Sequence, residues 1–413
     1  MNTYRDLFRT PEFPSLFATV SLQIAGQTVS GFALGSLVYA STGSPLLSAL
    51  AMFGPSLAQV VGALTLLSAA DRVPPRAALV GLALFLGLAT AAQATPGLPT
   101  AAALALVLVQ GVPAALGGGV RYGLLTDILA RDGYLLGRSV LNMSAGVCQI
   151  LGYALGGLLV AVLSPRGTLL VAAGLYAFAA LVARCGLARR PARAAGRPSL
   201  RETMRGNAAL WSSVPRRYVY LALWVPNGLI VGCEALFVPY DPRHAGVLLA
   251  SAALGMLAGD ILTGRFLPPR WRARLAAPLR LLLAVPYLAF ALHPALPFAV
   301  AAVALASVGF SASLLLQERL VALTPESLSG HALGLHTAGM LTTQGVGAVL
   351  AGALAQATSP ATAMTVLAMA SVAVTLRLGR GLSGGLKGGP VSPTSASAAD
   401  DACTTPRPRP RTP

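Results

Sequence analysis

The chain alternates twelve times between a long apolar stretch and a short polar gap. Apolar runs fill 13–39, 46–70, 77–95, 100–120, 139–163 and 167–187. After a polar interval they resume at 218–238, 245–266, 276–293, 296–316, 331–356 and 361–378. About 20 helical residues at 1.5 Å each cross a hydrocarbon core of roughly 30 Å, so each run has the length of a spanning helix. The pattern predicts an all-α integral membrane protein with twelve transmembrane helices in two groups of six. The first run is too long for a signal-peptide core and is followed by no cleavage pattern, so it is read as the first span. Pro113 and Pro286 are expected to kink their helices.

The polar interval at the centre carries Arg184, Arg189, Arg190, Arg193, Arg197, Arg201, Arg205, Arg216 and Arg217 against a single acid, Glu202. So dense a positive block stays on the cytoplasmic side. It predicts an N-terminal six-helix bundle over 1–186, a basic cytoplasmic linker over 187–216, a C-terminal six-helix bundle over 217–379 and a disordered cytoplasmic tail over 380–413. With the N-terminus inside, only Arg166 and Arg243 of the 30 Lys and Arg residues fall in outer loops. One helix more or fewer would move many arginines to the wrong face. Both termini are therefore expected in the cytoplasm.

Composition narrows the class. Hydrophobic residues make up 55% and charged residues 10%, with a net charge of +17. In a soluble chain that charge would suggest nucleic acid. Here the arginines sit between apolar runs, so they read as topology signals and contacts to anionic lipids, and no nucleic-acid partner is expected. The abundance of arginine over lysine suggests a GC-rich bacterial genome and hence a bacterial plasma membrane. Cys148, Cys185, Cys233 and Cys403 show no CxxC spacing. No HExxH or nucleotide-binding loop is present, so neither an enzyme nor a cofactor or metal site is expected. His331 and His336 read as gate or packing groups.

The two groups of six echo each other at an offset of 193 residues. Gly137 meets Gly330, Ala145 meets Ala338, Gly146 meets Gly339, Gly152 meets Gly345 and Arg72 meets Arg265. Such parallel repeats form a midplane site between their halves. Three local patterns carry a family resemblance. Asp71-Arg72-Val73-Pro74-Pro75-Arg76 is similar to the loop motif G-x-x-x-D-R-x-G-R-[KR], with Leu67 and Pro74 at its glycine positions. Gly264-Arg265-Phe266-Leu267-Pro268-Pro269-Arg270 is its altered second copy. Gly152-Tyr153-Ala154-Leu155-Gly156-Gly157 resembles the exporter pattern G-P-x-x-G-G, with tyrosine for proline. By these the chain resembles a major facilitator superfamily transporter, most of all the siderophore- and drug-exporter-like branch. The resemblance implies secondary active efflux by alternating access, as an antiporter, with the proton as coupling ion. The branch's fourth-helix arginine would fall on Val107 and is missing. A lipid translocator, a facilitative carrier or importer, and a non-transporting receptor on the same fold are the alternatives.

Candidate residues follow from depth and chemistry. Gating is assigned to Asp71, Arg72, Arg76, Arg265 and Arg270, charges at helix ends whose bridges would break as the halves rock. Glu234 and Asp260 are the acids clearly inside helices and the candidates for proton coupling, Asp260 also suiting an ion pair at the gate. Gln23, Gln27, Gln110, Asn142, Gln149, Asn227 and Gln344 are neutral polar groups at mid-depth and the candidate substrate contacts. They suit an amphipathic or uncharged small molecule. Gly152, Gly156 and Gly157 are expected to pack helices closely. A monomer is expected.

Overall fold

The computed structural model describes residues 4–66, 73–129, 131–192, 200–325 and 328–384. Among these the chain is helical, without a strand. The first half comprises a short α1 (Tyr4–Arg9), then α2 (Phe13–Thr42), α3 (Pro45–Leu66), α4 (Pro75–Gln93), α5 (Thr100–Ile128) and α6 (Arg131–Gly186). The linker contains α7 (Leu200–Ser212). The second half holds α8 (Val214–Ala235), the single turn α9 (Phe237–Tyr240), α10 (Ala245–Ile261), α11 (Pro269–Leu282), α12 (Leu296–Val308), α13 (Ala312–Ala322), α14 (Ser329–Ala357) and α15 (Pro360–Gly384).

Ten of the described helical segments are long and apolar enough to cross a membrane. One of them covers Leu136–Gly186, 51 residues. At 1.5 Å per residue it would run about 77 Å, more than twice the hydrocarbon core. It is in fact two arms folded at Ser164, whose backbone leaves the helix at φ 72° and ψ 163°. Pro165 follows, and a residue before proline is pushed to extended ψ. The twelfth span is α2, 30 residues long. It falls outside the ten because serine, threonine and two glutamines dilute its apolar residues. Six spans thus lie in each half, with α11 continued by a 3₁₀ stretch Val285–Leu292 and α12 continued through a 3₁₀ turn into α13.

The halves meet through two reciprocal contacts. α3, the second span of the first half, lies along α14, the fifth of the second half. The first arm of α6, the fifth span, lies along α10, the second span of the second half. This exchange of roles is what a twofold axis along the membrane normal produces from parallel repeats. Glycines set the approach. A Cβ at Gly152 would stand 2.9 Å from the Thr28 side chain on α2, and one at Gly157 would stand 3.1 Å from the Gly246 Cα on α10. Gly156 faces Phe32 of α2 at ordinary contact distance.

The linker differs from a plain basic loop. Its helix α7 docks on the second half: Leu210 is fully buried, and Trp211 stacks on Trp224 at 5.8 Å and on Tyr220 at 6.1 Å. Asn207 Oδ1 lies 2.8 Å from His331 Nε2 at the start of α14. His331 thereby holds the linker to a helix of the interface.

Candidate functional site

Polar side chains on α2 recur at Gln23 and Gln27, four residues apart and so on one helical face. That face borders a cavity of ≈ 570 Å³ between the halves, which explains why α2 is the least apolar span. The first half supplies most of its wall: Gln23, Ile24 and Gln27 of α2, Gln59 of α3, Leu82 and Leu86 of α4, Ala114, Ala115, Gly117, Gly118, Gly119, Arg121 and Tyr122 of α5, and Arg138 of α6. The second half supplies Leu333, Gly334, Thr337, Ala338 and Leu341 of α14. Gly117, Gly118 and Gly119 widen it; a side chain at Gly118 would meet nothing within 4 Å.

The cavity opens at the end of the bundle where the linker and the other arginine-rich connections lie. Arg121 and Tyr122 stand near the end of α5, Arg138 near the start of α6, and Leu333 near the start of α14. The opposite end is shut. There the Tyr39 hydroxyl donates to Pro239 O at 3.4 Å, the Ser44 hydroxyl donates to Gln356 Oε1 at 2.7 Å, and Gly157 backs onto Gly246. Ala49 of the first half packs in one buried cluster with Ala235 and Ala348 of the second.

Arginine chemistry at the cavity mouth is what the apolar pattern did not show. The guanidinium carbon of Arg121 lies 4.9 Å from the Tyr122 ring centroid, and that of Arg138 lies 5.3 Å from the same ring. The Tyr122 hydroxyl donates to Asn142 Oδ1 at 2.9 Å, which anchors the ring that both guanidinium groups share. Arg121 Nε and Gln23 Nε2 are buried without a hydrogen-bond partner among the described residues. Both arginines fall beside the polar gap after the fourth run, where arginine is ordinarily a topology signal. The one local hint is the Gly117-Gly118-Gly119 run just ahead of Arg121, which leaves a helix without side chains where a ligand could lie.

The remaining expected substrate contacts scatter. Gln110 is engaged within the first half, donating to Thr90 Oγ1 at 3.4 Å and receiving from Gln93 Nε2 at 3.5 Å; with Gln27 it borders a separate space of ≈ 60 Å³. Asn227 and Gln344 satisfy each other across α8 and α14 at 3.0 Å. Gln149 is exposed and does not border the cavity. Of the seven, Gln23 and Gln27 line the cavity and Asn142 supports it through Tyr122.

Glu234 lies near the end of α8, 5% exposed, with Oε1 unpaired among the described residues. It is on the shut side, beside Ala235 of the sealing cluster, and not on the cavity wall. Tyr153 of the first half and Tyr287 of the second both lie within electrostatic range of it. Asp260 is exposed on α10 with no ion pair among the described residues. Asp71 and Arg72 lie outside the described residues. Arg265 is exposed, its guanidinium 6.0 Å from the Phe266 ring; nothing is described of the Arg270 side chain.

Arg76 borders a second hollow, ≈ 610 Å³, with Arg184, Arg189, Arg190 and the apolar residues Ala77 and Val80. Arg190 is bound there by Glu12, through Nη1 to Oε2 at 2.6 Å and Nη2 to Oε1 at 2.9 Å, while the Ala188 N–H donates to Oε2 at 2.9 Å. The Arg190 guanidinium, helped by that amide, holds the Glu12 carboxyl below its ordinary value, against the opposing effect of burial. This clamp ties the start of α2 to the exit of α6. It also holds Glu12 in a left-handed backbone at φ 71°. No group of three or more metal-ligating side chains occurs among the described residues.

Comparison with known proteins supplies the family and the fold. A family model described as Major Facilitator Superfamily matches residues 16–317. A solved structure of a POT family transporter, in complex with a thioalcohol-conjugated peptide, superposes with a TM-score of 0.71 at 10% identity, covering 91% of this chain and 96% of its own. A bacterial homolog of the human lysosomal transporter Spinster, inward-facing and unoccupied, gives 0.69 at 15% identity, covering 93% and 96%. The human organic anion transporter MFSD10 gives 0.64 at 18% identity, covering 89% and 99%. No curated protein sequence matches.

Proposed function

The chain belongs to the Major Facilitator Superfamily, and we propose that it is a secondary active transporter that exports a small amphipathic molecule in exchange for protons. The single observation that carries this reading is the asymmetry of the interface: a cavity open at the basic end and a seal at the other. Dense arginine marks the cytoplasmic face. On that assignment the molecule stands inward-open in a bacterial plasma membrane, ready to load from the cytoplasm, with both termini on the cytoplasmic side. Rocking about α3–α14 and α6–α10 would close the mouth and part the seal. The cavity lies within one chain, so a monomer suffices.

Glu234 is the proposed coupling group. An unpaired charge at this depth costs several kcal/mol, and a proton removes it. Parting the seal would give this carboxyl to the outside, where protons are abundant in an energised cell. Proton uptake outside would favour return to the inward-open state, and release of that proton to the cytoplasm as substrate loads would complete the exchange. One proton carries about 2.3 kcal/mol per 100 mV, enough for roughly 50-fold accumulation per unit stoichiometry.

The test uses inside-out vesicles loaded with a pH-sensitive dye and a panel of amphipathic compounds. A compound that moves protons through the unmodified protein should fail to do so through Glu234→Gln, which should still exchange that compound across the membrane. Uphill export with normal pH dependence in Glu234→Gln would make the residue structural.

A second partner has its own observation. The hollow bordered by Arg76, Arg184 and Arg189 combines guanidinium groups with an apolar floor at the proposed cytoplasmic interface. It suits the headgroup and first acyl carbons of an anionic lipid.

A further inference from the structure

Building on the transporter reading above, we propose that the substrate is an organic anion whose acid group binds between Arg121 and Arg138, with its apolar body deeper in the cavity. Two arginines border the cavity and no acidic side chain does among the described residues. They share one aromatic ring, at 4.9 and 5.3 Å from its centroid, so two like charges are held near each other with no counter-charge on the wall. Cation–π contact holds a guanidinium over the ring and leaves its N–H groups free to donate in the plane.

Two of the buried donors are unmet: Arg121 Nε and Gln23 Nε2. Folding ordinarily pairs such groups, and an unpaired one in a binding cavity marks a place for a ligand acceptor. A carboxylate has two acceptor oxygens, suited to the fork of a guanidinium. Beyond the arginines the wall turns apolar, through Leu82, Leu86, Leu333 and Leu341. A volume of ≈ 570 Å³ lies within the range for a drug-sized ligand. A simple topological role would leave Arg121 on the lipid-facing or loop surface; Arg138, which is exposed, meets the cavity at its mouth. That role does not account for the buried Arg121 Nε or for the shared tyrosine that Asn142 anchors.

The probes are 1-naphthaleneacetate and 1-naphthaleneacetamide, with 4-phenylbutyrate and its primary amide, pairs that differ chiefly in charge. The full chain, with its four cysteines replaced and Thr337→Cys added on the cavity wall, is placed in lipid nanodiscs. Protection of that cysteine from a maleimide reports occupancy. At least one acid should protect at a tenfold or more lower concentration than its amide. Arg121→Gln and Arg138→Gln should each remove the preference by weakening the acid tenfold or more, leave the amide unchanged, and keep the same elution profile. Arg121→Lys should restore part of it. Equal protection by acid and amide, a preference for the amide, or no protection by any acid overturns the proposal. The labelling rate without ligand, compared between inside-out and right-side-out vesicles, separately tests whether the cavity opens to the cytoplasm. The transporter reading can therefore fail or stand independently.

Discussion

Adding one carbon at Gly246 should unseat the outer seal. An alanine Cβ there would lie 2.8 Å from the Gly157 Cα, 2.9 Å from the Tyr153 carbonyl oxygen and 3.2 Å from the Gly157 nitrogen. All three are backbone atoms of the facing helix, so no rotamer change relieves the contact, and the halves must separate. Overpacking of this kind costs about 1–3 kcal/mol. The penalty falls on the state in which the seal is closed, because the contact exists only there. It should move the balance between the two states by roughly 5- to 150-fold toward outward opening. The assay is the labelling rate of Thr337→Cys in inside-out vesicles, which should fall in Gly246→Ala. Gly174→Ala is the control, since its added carbon meets nothing within 4 Å. Equal labelling in Gly246→Ala, with unchanged folding, would refute the assignment of the Gly157–Gly246 contact as the seal.

Topology gives a second expectation: cysteines placed at Ser44, Gly97 and Ser359 should react with an impermeant thiol reagent outside intact cells, and those at Arg197 and Pro393 should not. Outside labelling at Arg197→Cys would invert the proposed orientation. The Glu12–Arg190 clamp predicts a pH dependence of stability. Its carboxyl is depressed in the folded chain, so the stabilisation is present above the ordinary value of 4.5 and is lost as pH falls through the depressed one. A bidentate pair with both side chains partly exposed contributes about 1 kcal/mol. Glu12→Gln should lower thermal stability at neutral pH and flatten its acid limb; an unchanged acid limb would show that the clamp is inert.

The bilayer makes part of this molecule easy to read from sequence. Hydrocarbon demands about 20 apolar residues per span, so the twelve runs and the turn at Ser164 follow from the pattern alone. Side-chain facing was not legible. Gln23 and Gln110 look alike as neutral groups within apolar runs, yet one lines the cavity with an unmet donor and the other is paired with Thr90 and Gln93. Arg121 and Arg138 lie beside a polar gap, where arginine is normally a topology signal, and only tertiary placement brings them over one tyrosine. Glu234 was legible as a buried acid, but its position at the seal depends on how the halves meet. The linker helix was hidden by its charge, because Leu210 and Trp211 are too few to form an apolar run. Trp211 finds its partners, Tyr220 and Trp224, on the second half.

The central claim is that two rigid halves exchange openings at opposite ends, and distances between spin labels across the halves test it most directly. One pair, Ser41→Cys with Thr358→Cys, reports the shut end; the other, Thr126→Cys with Leu323→Cys, reports the basic end. In nanodiscs titrated across pH, with and without a bound organic acid, the account predicts two populations at each end. As the distances at one end shift toward the longer population, those at the other should shift toward the shorter. A single fixed distance at both ends under every condition, or both ends widening together, would contradict it.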